Sequence, residues 1–370
     1  MIIKKLDLSN FKNYSRAELE FSPKVNCLLG SNGAGKTNIL DAIYYLSFCK
    51  SYFNPMDNQN IRRGEDFFRI SGKYNKPNNP PDTVQVLLKK NQRKQVKRNN
   101  KEYDRLSDHI GLYPLVMITP SDTSLIHEGS ESRRKFIDGI ISQFDKNYLL
   151  LLLQYTKAIH QRNTLLKKFT ETGRYDRVSI DIWDQKIIAL APQIHAVRKA
   201  FLKSFVPTFE KYFRFIAGSN EKAGLLYESQ LNESSMKALL DKNNEKDRIL
   251  KYTSVGPHKD DYAFSVNRFP LKKFASQGQQ KSFIVAAKLA QYEHIKNIKG
   301  DSPVILLDDV FDKLDQKRVN QLMTLVSENN FGQIFITDTQ KDRILKAFEN
   351  IDTDKKYYEI SSGRIINIYK

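Results

Sequence analysis

The run Gly30-Ser31-Asn32-Gly33-Ala34-Gly35-Lys36-Thr37 has the residue types and spacing that holding a phosphate chain requires. Glycines let backbone N–H groups turn inward around the phosphates, Lys36 reaches the β/γ-phosphates, and the Thr37 hydroxyl can ligate Mg2+. A helix starting behind the loop adds the positive end of its dipole. The loop must therefore join a buried strand to a helix. Its flanks predict both: Val25 to Leu29 reads as the strand, and Ile39, Leu40, Ile43, Tyr44, Leu46 and Phe48 suit a helix packed on a sheet.

A second chemistry-bearing segment is Val304-Ile305-Leu306-Leu307-Asp308-Asp309, an apolar strand that delivers two carboxylates at its C-terminal end, where open α/β sheets bind ligands. It resembles a Walker B element. Asp308 is expected to hold Mg2+, directly or through water, and Asp309 to orient or deprotonate the attacking water. Upstream lies Ala275-Ser276-Gln277-Gly278-Gln279-Gln280-Lys281-Ser282, followed by a helical pattern. This stretch is similar to the signature motif of ABC ATPases, in which a Ser and a Gly at a helix N-terminus bind the γ-phosphate of the opposite protomer. Ser276-x-x-Gln279 reads equally as a capping box. Its place before the Asp pair, with Leu314-Asp315 after that pair like a D-loop, favours the signature reading. That reading makes Ser276 and Gly278 part of the nucleotide site, and Lys36, Asp309 and Ser276 the residues that carry hydrolysis. ABC ATPases usually have Glu where Asp309 stands, so slow hydrolysis is expected. A signature motif completes the site only in trans, so ATP should drive formation of a homodimer.

The elements that must position these residues are legible around them. Leu6-Asp7-Leu8 and Ala17-Glu18-Leu19-Glu20-Phe21 alternate as strands do, and β-like segments recur at Phe67 to Tyr74 and Thr83 to Leu88. In the middle, Ile137, Ile141, Phe144, Tyr148, Leu151 and Tyr155 step by four and three, and Ala158, Leu165 and Phe169 continue that register with Arg162 interrupting it. After a polar break, Trp183, Ile187, Leu190, Ile194, Val197 and Phe201 repeat the stepping, with Pro192 expected to kink the helix. Two antiparallel helices, each on the order of 30 to 50 Å at 1.5 Å per residue, would form a short arm. The expected class is α/β: an ABC-type P-loop ATPase head, its N-terminal part at 1–120 and its C-terminal part at 250–370, interrupted by a helical arm at 121–249.

The whole chain has 370 residues, with 60 Lys and Arg against 42 Asp and Glu, a net charge of +18. Such an excess favours polyanionic partners, either nucleic acid or an anionic membrane surface. Two cysteines, Cys27 and Cys49, give no zinc spacing and no disulfide framework, which fits a reducing cytoplasm. The N-terminus lacks an apolar signal core and the run Leu149 to Leu153 is far short of a membrane span, so no membrane association is expected.

The opening Leu8-Ser9-Asn10-Phe11-Lys12-Asn13-Tyr14 is similar to the first strand of the SMC-like and RecF-like ATPases, where Arg is more usual at the position of Lys12. Pro120 to Ile126, Gly129 to Asp138 and Gly256-Pro257-His258-Lys259-Asp260-Asp261 resemble the RecF-like branch more narrowly. That resemblance implies ATP and Mg2+ as cofactors and an ATP-dependent dimer. It also implies sequence-nonspecific binding of double-stranded or gapped DNA, action with RecO and RecR to load RecA, and roles in repair, replication and the SOS response. The alternative is a tethering ATPase of the SMC kind, for which the helical insert is short; transporter ATPase subunits lack such an arm and such basicity. The switch residue should lie among Thr337-Asp338-Thr339, and Gln59 is the candidate glutamine of the Q-loop. His258, Asp260 and Asp261 read as a capped proline turn before a strand rather than as a metal cluster. Lys89 to Arg98 suits phosphate contact without base reading, as do Arg133, Arg134, Lys135, Lys167 and Lys168.

Overall fold

All five residues of β3 (Val25–Leu29) are buried in the structure, a computed structural model that describes residues 1–76, 79–218, 221–310, 321, 324, 331–349 and 351–369. Asn26 tolerates this because its side chain is satisfied: its oxygen accepts from the Ser22 N–H at 2.8 Å and its amide donates to the Ser22 carbonyl at 2.9 Å. The strand sits inside a six-stranded sheet with β8 (Leu115–Ile118), β12 (Val304–Leu307), β13 (Ile334–Asp338), β14 (Lys355–Ser361) and β15 (Arg364–Tyr369). Its order is β15-β14-β3-β13-β12-β8. Only the β14–β15 pair is antiparallel. β3, β8, β12 and β13 are buried throughout, as expected for parallel strands covered on both faces.

A second sheet is antiparallel and uses the alternating segments: β1 (Ile2–Phe11), β2 (Tyr14–Glu20), β4 (Phe67–Asn75), β5 (Asp82–Lys89), β6 (Gln95–Arg98) and β7 (Lys101–Glu102), in the order β2-β1-β4-β5-β6-β7. Helix α1 (Lys36–Phe48) shares one core with both sheets. Ile39, Leu40, Ile43 and Leu46 pack with Leu6, Leu8 and Phe68 of one sheet and with Leu28, Leu306 and Phe335 of the other. These strands and α1 belong to a compact unit made of Met1–Asp122, Phe215–Ser219 and Lys281–Lys370.

The other unit comprises Thr123–Arg214 and Asn220–Gln280. It contains α2 (Ser124–His127), α3 (Ser130–Ile141), α4 (Lys146–Thr172), the greater part of α5 (Arg177–Ala217) and α6 (Met236–Leu250). A small sheet of β9 (Ala223–Glu228), β10 (Asp261–Val266) and β11 (Phe269–Pro270) follows, with α7 (Leu271–Phe274) and the first turn of α8 (Gln277–Lys299). The two expected helices exist. α4 is about 40 Å long, and α5 runs unbroken through Pro192 and Pro207 for about 60 Å, longer than expected. Arg162, which interrupts the apolar register, is fully buried and pairs with Asp247 at 2.7 Å and Asp184 at 2.5 Å.

The expected boundary at residue 250 differs from the observed division. Residues 251–280 group with the helices. Ion pairs tie them there: Arg133 of α3 chelates the half-buried Asp261 of β10 at 2.7 and 2.9 Å, and the buried Arg198 of α5 holds Asp260 at 2.9 Å and Asp138 at 2.9 Å.

Candidate nucleotide-binding site

The phosphate loop falls where its flanks predict, between β3 and α1. Gly33 and Gly35 have φ of 77° and 118°, a region that side chains disfavour. A Cβ on Gly35 would also come within 2.6 Å of the Asn13 amide nitrogen and 2.8 Å of the Tyr14 hydroxyl. These two neighbours hold the loop. Asn13 donates to the Ala34 carbonyl at 3.1 Å, Tyr14 to the Gly35 carbonyl at 3.1 Å, and Asn38 to the Asn13 side chain at 2.8 Å. Lys36 Nζ donates to the carbonyls of Gly30 and Ser31 at 2.8 and 3.1 Å, spanning the loop's own mouth.

The Asp pair reaches the same place because β12 and β3 both flank β13. Thr37 donates to Asp308 Oδ1 at 2.8 Å. Thr337, at the end of β13, donates to the same oxygen at 2.9 Å and accepts the Asp309 N–H at 2.8 Å. Asp309 itself has φ of 44°, in the left-handed region that side chains disfavour, and its N–H is held there by Thr337. Burial pushes the Asp308 carboxyl above the ordinary carboxylate range, while the Thr37 and Thr337 hydroxyls act in the opposite sense. A carboxylate that is costly to charge and lies one hydrogen bond from the loop hydroxyl fits a hard cation, which would favour the ionised form. The donors are two oxygens, few enough that water and phosphate must complete an octahedron, as Mg2+ prefers. Thr37 and Asp308 are the residues that would hold it, and the cation would neutralise charge building on the phosphates.

Ser276 and Gly278 stand at the start of α8. The capping-box geometry is formed: Gln279 accepts the Ser276 N–H at 2.8 Å, and the Ser276 oxygen accepts the Gln279 N–H at 3.2 Å. Ser276 is exposed. Leu314-Asp315 lies outside the described residues. Among the switch candidates, Thr337 joins the Asp pair, whereas Asp338 is buried and clamped by Arg343 at 2.7 Å. Gln59 is exposed on the 3-10 turn Asp57–Asn60. Lys12 is tied to the buried Asp41 at 2.6 Å.

Several basic residues considered for DNA are occupied by the fold. Lys94 pairs with Asp57 at 2.7 Å, Arg98 with Asp82 at 2.9 Å and Arg133 with Asp261, while Arg134 donates to the Asp260 carbonyl at 2.6 Å. Lys89, Lys90, Arg93, Lys167 and Lys168 are exposed. His258 is likewise structural: Nε2 lies 2.9 Å from the Thr253 carbonyl and Nδ1 2.8 Å from the Tyr155 hydroxyl, and burial lowers its pKa to about 4. Among the described residues no cluster of three or more His, Cys, Asp or Glu is placed to hold a metal, and no helix is long and apolar enough to cross a membrane.

Asn13, Tyr14 and Thr337 carry roles that motif spacing did not assign. Asn13 and Tyr14 lie inside the Leu8 to Tyr14 stretch that resembles the first strand of SMC-like and RecF-like ATPases, a resemblance that assigns them no role, and Thr337 is one of the three switch candidates.

The model of the RecF/RecN/SMC N-terminal domain matches residues 2–361. A RecF DNA replication and repair protein of Flavobacterium johnsoniae is 49% identical over 343 residues, covering 93% of this chain and 95% of that protein. One from Phocaeicola vulgatus is 45% identical over 366 residues, covering 99% and 98%. Among solved structures, the recombination mediator protein RecF with ATP, from the RecFOR pathway, superposes with a TM-score of 0.89 at 30% identity, covering 100% of this chain and 97% of that one. An Smc head domain of Pyrococcus furiosus shares the fold at a TM-score of 0.59 and 16% identity, covering 99% and 95%. With a family model spanning nearly every residue and relatives this similar along their whole length, the chain belongs to the RecF/RecN/SMC N-terminal domain family, in its RecF branch of DNA replication and repair proteins.

Proposed function

We propose that the chain binds ATP with Mg2+ in the Gly30–Thr37 cradle, closes as a homodimer around that nucleotide, and in the closed state binds DNA at gaps and single-strand/double-strand junctions. The observation that carries this reading is the convergence of the Thr37 and Thr337 hydroxyls on one carboxylate oxygen of Asp308, at 2.8 and 2.9 Å, beside a pre-turned phosphate loop. Lys36, which spans the loop mouth, would turn its three N–H donors from the Gly30 and Ser31 carbonyls to phosphate oxygens. Asp309 would orient the attacking water. Its short side chain and fixed backbone support slow turnover, with hydrolysis acting as a release switch.

Ser276 reconciles its two readings. Its oxygen accepts from Gln279, which positions the side chain, and the hydroxyl proton is the donor that a γ-phosphate of the opposite protomer requires. The cap therefore preorganises the signature. RecO and RecR as partners, RecA loading as the outcome, and the cytoplasm as location rest on the similarity to RecF proteins, one of which is described as a recombination mediator of the RecFOR pathway. The exposed lysines and the net charge of +18 support sequence-nonspecific phosphate contact.

The test is light scattering with ATP, ADP or no nucleotide. Ser276→Arg should bind ATP as the parent does and fail to dimerise; normal ATP-dependent dimers of that variant would sink the reading.

A further inference from the structure

Between Asp261 and Glu293 the chain contains no acidic residue, while Arg268, Lys272 and Lys273 fall within it next to Phe269 and Phe274. Both rings are turned to solvent, 59% and 66% exposed, and their centroids lie 5.6 Å apart. Exposed phenyl groups of this kind are unfavourable unless something covers them. Their mounting is rigid. Phe269 pairs with Val266 across a two-residue hairpin turn in which Asn267 and Arg268 have φ of 51° and 70°. The turn is pinned by two bonds to Lys222: Asn267 donates its N–H to the Lys222 carbonyl at 2.7 Å, and its side-chain oxygen accepts the Lys222 N–H at 2.9 Å. Phe274 stands on α7, whose Lys272 is fastened to the His127 carbonyl at 2.7 Å. A recess of about 340 Å3 beside the rings is lined by Phe264, Arg268, Pro270 and Lys272, along with Glu228 and Asp261, the latter neutralised by Arg133.

We propose that Phe269 and Phe274, with Arg268, Lys272 and Lys273, form a stacking platform for the unpaired bases of single-stranded DNA. Aromatic faces take any base, and the interleaved cations take the backbone phosphates, so the platform reads strandedness rather than sequence. Charge complementarity favours this occupant. A single strand brings phosphates that Arg268, Lys272 and Lys273 can take, in a stretch of thirty-one residues without an acid, and a second copy of this chain over the rings is an outcome that the experiment separates. The inference rests on the DNA-binding reading above and adds to it the site that distinguishes a gap from intact duplex.

The experiment compares the parent, Phe269→Ala, Phe274→Ala and Phe274→Trp, each with ATP, on three probes: a (dA) single strand, the same strand with abasic sugars, and a duplex. Each alanine variant should weaken binding to the (dA) strand about tenfold while leaving duplex binding unchanged. The abasic strand should bind parent and variants alike, and Phe274→Trp should keep parental affinity with quenching of its indole fluorescence by the stacked base. Unaltered (dA) binding by both alanine variants overturns the platform, as does an equal loss on all three probes. Loss of ATP-dependent dimers with strand binding intact would place a second copy over the rings and overturn it too. If the parent binds the duplex and only the stacking results fail, the DNA-binding reading stands alone; if the parent binds none of the probes, both readings fall.

Discussion

Thr337 shows how much of this site is decided by one hydroxyl. It gives its proton to Asp308 and receives the N–H of Asp309, so it fixes the rotamer of the proposed cation ligand and the backbone of the residue proposed to orient water. Thr337→Val keeps the shape and removes both bonds. Hydrolysis should then fall about tenfold or more in single-turnover measurements, with ATP affinity changed little, because the cradle and Lys36 are untouched. Loss of ATP affinity in equal measure would place Thr337 in binding. The cradle residues Gly30 to Thr37 and the acids Asp308 and Asp309 were legible in sequence because phosphate chemistry demands those types at fixed spacing. Sequence narrowed the switch residue only to Thr337, Asp338 or Thr339, since a threonine near the end of a β-strand is ordinary and only the pairing of β13 between β3 and β12 brings Thr337 to the Asp pair.

Among the elements, α4 and α5 were readable from their periodicity, and the one break in it carried information that periodicity cannot express. Arg162 sits inside the helical unit, bonded to Asp184, Asp247 and Thr253. Asp247 is fully buried, so Arg162→Ala would strand an uncompensated carboxylate and should cost roughly 3 to 5 kcal/mol in urea unfolding. Replacing the fully buried pair, as Arg162→Met with Asp247→Leu, should lose distinctly less, since the carboxylate left behind, Asp184, keeps some access to water. Similar losses in the two proteins would mean that packing, not charge, dominates there. Ion pairs of the same sort explain why residues 251–280 group with the helical unit rather than with the strands that follow. A resumption of β-like pattern near residue 250 signals a strand but not which unit it joins, and Arg133 and Arg198 make that choice through Asp261 and Asp260.

At the scale of the molecule, β3 makes hydrogen bonds only with β13 and β14 within its sheet, strands drawn from the final tenth of the chain. The ATP cradle thus hangs from a strand whose neighbours lie about three hundred residues away along the sequence. A chain ending at residue 330 should bind no ATP by equilibrium dialysis and should lack a cooperative thermal transition in the nucleotide-binding unit; ATP binding by that fragment would show that the cradle is locally self-sufficient. The arrangement has a consequence for biosynthesis. While the ribosome is still translating, the N-terminal third already exposes β3 without either of its sheet neighbours, and the side of α1 that packs on Leu306 and Phe335 has nothing to cover it. Nucleotide therefore cannot reward a half-finished polypeptide, and a shielding chaperone would find its substrate in that waiting segment.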